Sequence, residues 1–252
     1  MAPKADKVRV GPPLHLTDLS AALRAGWRDF RRAPQFGLFF SAVYVLGGLA
    51  LVWLGAGQVA WVLTLSLGFP LVAPFAAAGL YEVSRRLERG APLAWGAVLG
   101  VVWRERGRQL PWLGAIIVLY FLFWSFLAHM LFALVMGMGA MAEVGRSLSF
   151  LLSPRGLALV AVELGVGGVL AFALFALMAV SLPLVLDREV DFVTAMMRSL
   201  GVVRQSPVVM AVWAALIAGL TLLALLPAFL GLMVVLPVLG HATWHLYRRA
   251  LV

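Results

Sequence analysis

Cysteine is absent from the 252-residue chain. Disulfides, thiolate metal sites and cysteine nucleophiles are thereby excluded, and the redox compartment leaves no mark on the sequence. Charge is scarce as well. Only 12% of the residues are charged and 63% are hydrophobic, whereas a soluble domain is about a quarter charged and about half apolar. Such a chain has too little polar surface to cover a water-soluble globule. The scarcity is also local: Ala33 to Tyr81, Gln109 to Ala142 and Gln205 to Tyr247 contain no Asp, Glu, Lys or Arg. One bilayer crossing takes about 20 apolar residues. The first and third runs are each long enough for a hairpin of two spans, and the second for one span and an exit. Leu157 to Leu186, interrupted only by Glu163, supplies another. The reading is an all-α polytopic transmembrane bundle of six spans. Met1 to Pro13 has neither an apolar core nor a cleavage site, so residues 1–15 read as a disordered cytoplasmic tail rather than a signal peptide. Residues 16–252 read as one transmembrane domain.

What charge there is, is mostly basic and segregated. Of 20 Lys and Arg, 18 fall in the region up to Arg32, the Arg85 to Arg108 loop, the Arg188 to Arg204 loop, and Arg248 with Arg249; Arg146 and Arg155 are the others. With six spans those four places share one side, which the positive-inside rule makes the cytoplasm, so both termini are expected there. The net charge of +9 is then a topology signal. Nucleic acid is not an expected partner, because the arginines sit beside spans rather than on a solvated basic fold.

A junction recurs three times. Arg31-Arg32-Ala33-Pro34, Arg108-Gln109-Leu110-Pro111 and Arg204-Gln205-Ser206-Pro207 each end an amphipathic stretch and open an apolar run. The first stretch sets Leu19, Ala22, Leu23, Gly26, Trp27 and Phe30 against Asp18, Arg24, Arg28 and Arg31. The third sets Phe192, Ala195, Met196, Leu200 and Val203 against Asp191, Arg198 and Arg204; the second, over Leu93 to Arg106, is apolar on most sides. Proline suits a helix start, and it pushes the residue before it out of the α region. It therefore separates a helix lying in the membrane plane from one crossing it, while the arginine reaches toward headgroup phosphates. Three pseudo-repeats follow, at about 16–91, 92–189 and 190–252. The even-numbered spans also carry internal prolines: Pro70 and Pro74, Pro183, and Pro237.

Polar groups at membrane depth are few. Glu163 in the fourth span and His129 in the third fall at similar depth in antiparallel neighbours, which suits a hydrogen-bonded pair, either structural or a relay; the alternative is an interface Glu163 reaching outer water. His241 and His245, four apart on the last span, share a face, which suits an interface position or a metal pair. Gly165, Gly167 and Gly168 let another helix approach closely. Thr17 or Asp18 is suited to cap the first amphipathic helix.

Three segments carry a resemblance: Gly26-Trp27-Arg28-Asp29-Phe30-Arg31-Arg32-Ala33-Pro34, Gly79-Leu80-Tyr81-Glu82 with Ser84-Arg85-Arg86-Leu87-Glu88-Arg89-Gly90, and Leu236 to Arg248 with its Gly-His-Ala-Thr-Trp-His motif. From about Leu16 to Arg249 the chain resembles a bacterial family of multispan membrane proteins known only as a domain of unknown function. The resemblance implies a proteobacterial inner membrane and brings no agreed activity. Members are sometimes labelled as similar to the catalytic subunit I of cytochrome c oxidase. Haem-copper chemistry needs about six histidine ligands at matched depths, and this chain has four histidines, one of them in the tail.

Three function classes compete. The first is an inner-membrane accessory or scaffold protein that uses its amphipathic helices and glycine-rich span to hold another membrane protein or organise membrane lipids. The second is a small secondary transporter or permease with Glu163 and His129 in the pathway. The third, a membrane enzyme, needs a cluster of acids and histidines that the sequence does not supply. No cofactor is expected.

Overall fold

The computed structural model describes residues 8–55, 59–137 and 152–252, so Arg146 lies outside the described residues. Ten helices are found among them: α1 (Leu16–Arg32), α2 (Pro34–Gly55), α3 (Val59–Glu88), α4 (Trp95–Glu105), α5 (Leu110–Met136), α6 (Pro154–Met178), α7 (Ser181–Asp187), α8 (Phe192–Gln205), α9 (Pro207–Leu225) and α10 (Leu232–Ala250). The β-structure among the described residues is one isolated antiparallel bridge between Val10 and Leu251. The fold is thus an all-α membrane bundle. The stretches Leu110–Met136, Pro154–Asp187 and Pro207–Leu225 are each long and apolar enough to cross a membrane, and a fourth results if α1 and α2, bent by 100°, count as one broken span. No residue in the most apolar part of α5 is fully buried. Leu119, Phe123, Phe126 and Leu134 project outward there, a side-chain distribution that suits lipid and not water.

The proline junctions take the local form that proline chemistry requires. Ala33, before Pro34, has φ −140° and ψ 54°; Ser206, before Pro207, has φ −134° and ψ 57°. The two residues adopt nearly the same non-helical conformation, and a new helix begins at each proline. The second junction differs: Gln109 stays helical, at φ −91° and ψ −24°, and α5 starts at Leu110 with Pro111 in its first turn. The 100° bend after α1 turns it away from the axis of α2. At the break between α6 and α7, Pro183 has no N–H to offer the carbonyl of Ala179, four residues earlier. At the same break the backbone N–H of Val180 donates to the buried Ser199 hydroxyl of α8 at 3.3 Å.

The stretch expected to be a free tail is held down over residues 8–15. Arg9 and Val252 exchange backbone hydrogen bonds at 3.0 and 3.1 Å, and the Gly11 N–H reaches the Ala250 carbonyl at 2.9 Å. The Leu14 N–H reaches the Ser206 hydroxyl at 2.8 Å, and the side chains of Val8 and Leu14 are buried. The apolar residues of this short segment thus close over the end of α10, and composition alone does not reveal such a partner. At the start of α1 the Asp18 carboxylate accepts the His15 backbone N–H at 2.8 Å, as its position in the first turn allows.

The main core lies at one end of the bundle, where α1 and α8 pack beside the ends of the long helices. Trp213, Trp244, Met210, Leu184 and Leu246 are fully buried in it. Glycine allows α1 its close approach to α10: a Cβ on Gly26 would stand 2.6 Å from both the Ala242 nitrogen and the Val238 carbonyl oxygen.

Candidate functional site

The Gly26 contact brings Asp29, one turn further along α1, against α3 and α10. Asp29 and Ser84 are buried, and His241 is sealed from solvent. The Ser84 hydroxyl donates to Asp29 Oδ2 at 2.8 Å. Its single proton is then used, so its oxygen accepts from His241 Nδ1–H, also at 2.8 Å. His245, one turn beyond His241 on α10, donates from Nε2 to the same Asp29 oxygen at 2.7 Å. Four side chains from three helices thus form one connected network, with Asp29 as its acceptor hub. Asp29 lies on α1, outside the long apolar helices. Burial pushes its carboxyl pKa up, but the hydrogen bonds from His245 and Ser84 and the nearby imidazoles outweigh burial and hold it below the ordinary value of 3.8.

The two histidines share a face of α10, and at His241 that face is buried within the protein. His241 is turned to Ser84 and His245 to Asp29, and among the described residues no group of three His, Asp or Glu is placed to hold a metal ion. His241 Nε2 is buried with no hydrogen-bond partner among the described residues.

A second layer of charge surrounds the network. The Asp187 carboxylate, at the end of α7, collects Arg89 at 3.2 Å, Arg248 at 3.5 Å and Arg188 at 3.7 Å, and accepts the Tyr247 hydroxyl at 2.9 Å. Glu88 accepts the Trp244 indole N–H at 3.1 Å and pairs with Arg248 at 3.2 Å. Buried Glu82 pairs with Arg85 and Arg86 of its own helix. The basic residues that mark topology in the sequence are therefore also what ties the ends of α3, α7 and α10 together. Of the junction arginines, Arg108 reaches Glu105 at 3.5 Å and Glu189 at 3.7 Å. Burial raises the carboxyl pKa of Glu105 while the charges of Arg108, Arg104 and Arg85 oppose it. Arg31 and Arg204 are exposed and have no ion pair among the described residues.

Glu163 and His129 are placed otherwise. The Tyr120 hydroxyl bonds the Leu170 carbonyl at 2.7 Å, and Trp124 lies over Gly167, where a Cβ would come within 2.8 Å of the ring. This antiparallel register sets His129 at about the level of Glu163. The two side chains nevertheless share no hydrogen bond among the described residues. His129 Nδ1 donates to the Ser125 carbonyl at 2.6 Å on its own exposed helix face, and Glu163 is half-buried. Of the three glycines of α6, Gly167 receives a neighbouring helix, while Gly165 and Gly168 face open space.

Asp29 and Ser84 were not singled out as site residues by sequence reasoning, although both lie in the segments that carry the resemblance. Those three segments, far apart in the chain, meet at this network. A family model described as "Predicted integral membrane protein (DUF2189)" matches residues 61–187. That stretch contains Ser84, Glu82 and Asp187, and leaves Asp29, His241 and His245 outside. No curated protein and no solved structure matches the chain.

Proposed function

Because the chain belongs to the DUF2189 family of predicted integral membrane proteins, we propose that it is an accessory or scaffold protein of the bacterial inner membrane. In this reading six spans, α2, α3, α5, α6 with α7, α9 and α10, cross the bilayer in three pseudo-repeats, with both termini cytoplasmic. The observation that carries it is the Asp29–Ser84–His241–His245 network. It uses the buried Asp29, Ser84 and His241 side chains, with His245 beside them, to clamp α1 to α3 and α10, which makes a fixed platform of a helix that would otherwise lie loosely on the membrane. A transport route would need polar side chains facing one another along the bundle, and the pair best suited to that, Glu163 with His129, is not hydrogen-bonded among the described residues. The exposed apolar flank of α5 and α6 is where a partner membrane protein or lipid would pack.

Mild-detergent affinity purification with mass spectrometry tests this reading, paired with a flux assay in proteoliposomes. A partner membrane protein retained in near-stoichiometric amount, without flux, is the expected outcome. A pH-dependent flux that Glu163→Gln abolishes would replace the scaffold with a transporter.

A further inference from the structure

We propose that the groove between α1 and α10 binds one anionic phospholipid, its phosphate held by Arg24 and Arg28 and its acyl chains leading out over Trp27 and Val238. The groove has a volume of about 800 Å³, and its lining includes Arg24, Trp27, Arg28, Val238, His245 and Arg249. Its charge is uncompensated on the α1 side. Arg24 and Arg28 are one turn apart, so their guanidinium groups repel unless an anion lies between them. Arg24 reaches only the Ser20 hydroxyl, at 3.4 Å, and Arg28 has no ion pair among the described residues. The acids nearby are already engaged: Asp18 by Arg249 at 2.9 Å, and Asp29 by His245 at 2.7 Å and by Ser84. Two guanidinium forks beside a cavity, with no carboxylate left to take them, match the planar bidentate geometry of a phosphate.

The apolar part of the lining decides which phosphate. Trp27 remains 45% exposed, and with Leu23 and Val238 it forms the apolar wall of the groove beside the arginines. A free phosphate would leave this surface bare, whereas a phospholipid covers both halves. Tryptophan beside arginine is also the composition of a headgroup-level surface. The 100° bend between α1 and α2 places α1 across the end of an apolar helix, the depth at which headgroups lie if α2 crosses the bilayer. The site needs no protein partner, so it goes beyond the scaffold reading and can fail or succeed without it.

Native mass spectrometry of the full-length protein tests the proposal, with equal amounts of phosphatidylglycerol and phosphatidylcholine added. One phosphatidylglycerol should stay bound in clear excess over phosphatidylcholine. Arg24→Gln/Arg28→Gln should weaken its retention by about tenfold or more, the size of a lost charge-assisted hydrogen bond. Arg104→Gln/Arg106→Gln, which removes the same charge from the C-terminal end of α4 and the residue after it, should leave retention unchanged. Arg24→Lys/Arg28→Lys keeps the charge without the fork and should retain less lipid than the unaltered protein, which tests the site even if the glutamine variant does not fold. Equal retention by all variants, or no preference between the lipids, overturns the site. Inorganic phosphate displacing the lipid at equal concentration would reassign the groove to a free anion and overturn the lipid assignment.

Discussion

Asp29 accepts two hydrogen bonds at one oxygen in a buried position, and each of its partners depends on it differently. Ser84→Ala removes the link between Asp29 and His241 and leaves the buried His241 Nδ1–H without an acceptor. The expected loss is about 1–3 kcal/mol of stability, measured by denaturation in detergent. Asp29 also contributes to the acid limb of stability. Its folded pKa lies below the ordinary value of 3.8, so its contribution is fully present above that value and is lost as pH falls through the lower folded value. Asp29→Asn should therefore lower stability at neutral pH and flatten the decline of melting temperature below about pH 4; an unchanged acid limb would show that another carboxylate governs it. Glycine provides a contrast of sign. Gly26→Ala drives a Cβ into the backbone of α10 and should cost about 1–3 kcal/mol. Gly100→Ala, in the interior of α4 with open space around it, should stabilise by about 0.5–1 kcal/mol.

Elements show how a local rule can be obeyed in different ways. Pro34 and Pro207 each begin a helix after a residue of nearly identical φ and ψ, so the first and third junctions are alike in backbone as well as sequence. At the second, the helix begins one residue before Pro111, which agrees with the poorer amphipathic pattern preceding it. Ser206 has a further task at its junction, since its hydroxyl accepts the buried Leu14 N–H. Ser206→Ala should orphan that N–H and release residues 8–15 from the end of α10, seen as faster amide exchange at Gly11 and Leu14 with α9 unaffected. Unaltered exchange at both would mean that the pairing of Arg9 and Val252 is sufficient to hold the segment.

At the scale of the whole molecule, the six-span reading predicts that reporter fusions after Arg32 and after Val252 both report the cytoplasm; a periplasmic signal from either would sink it. The chain's membrane character, the helix starts at its prolines and the extents of α1, α4 and α8 were legible in the sequence, because each depends on composition or on neighbours a few residues away. The facing of His129 and Glu163 was not legible, because rotation of a helix about its axis is set by packing, here by Trp124 over Gly167 and Tyr120 on Leu170. The same holds for His241 and His245. Spacing put them on one face of α10, but only the close approach of α1 at Gly26 and of α3 at Ser84 decided that the face would be buried and turned to Asp29. Burial of a polar side chain is tolerable only where a partner waits, and such partners come from helices distant in sequence, so their choice belongs to the tertiary structure.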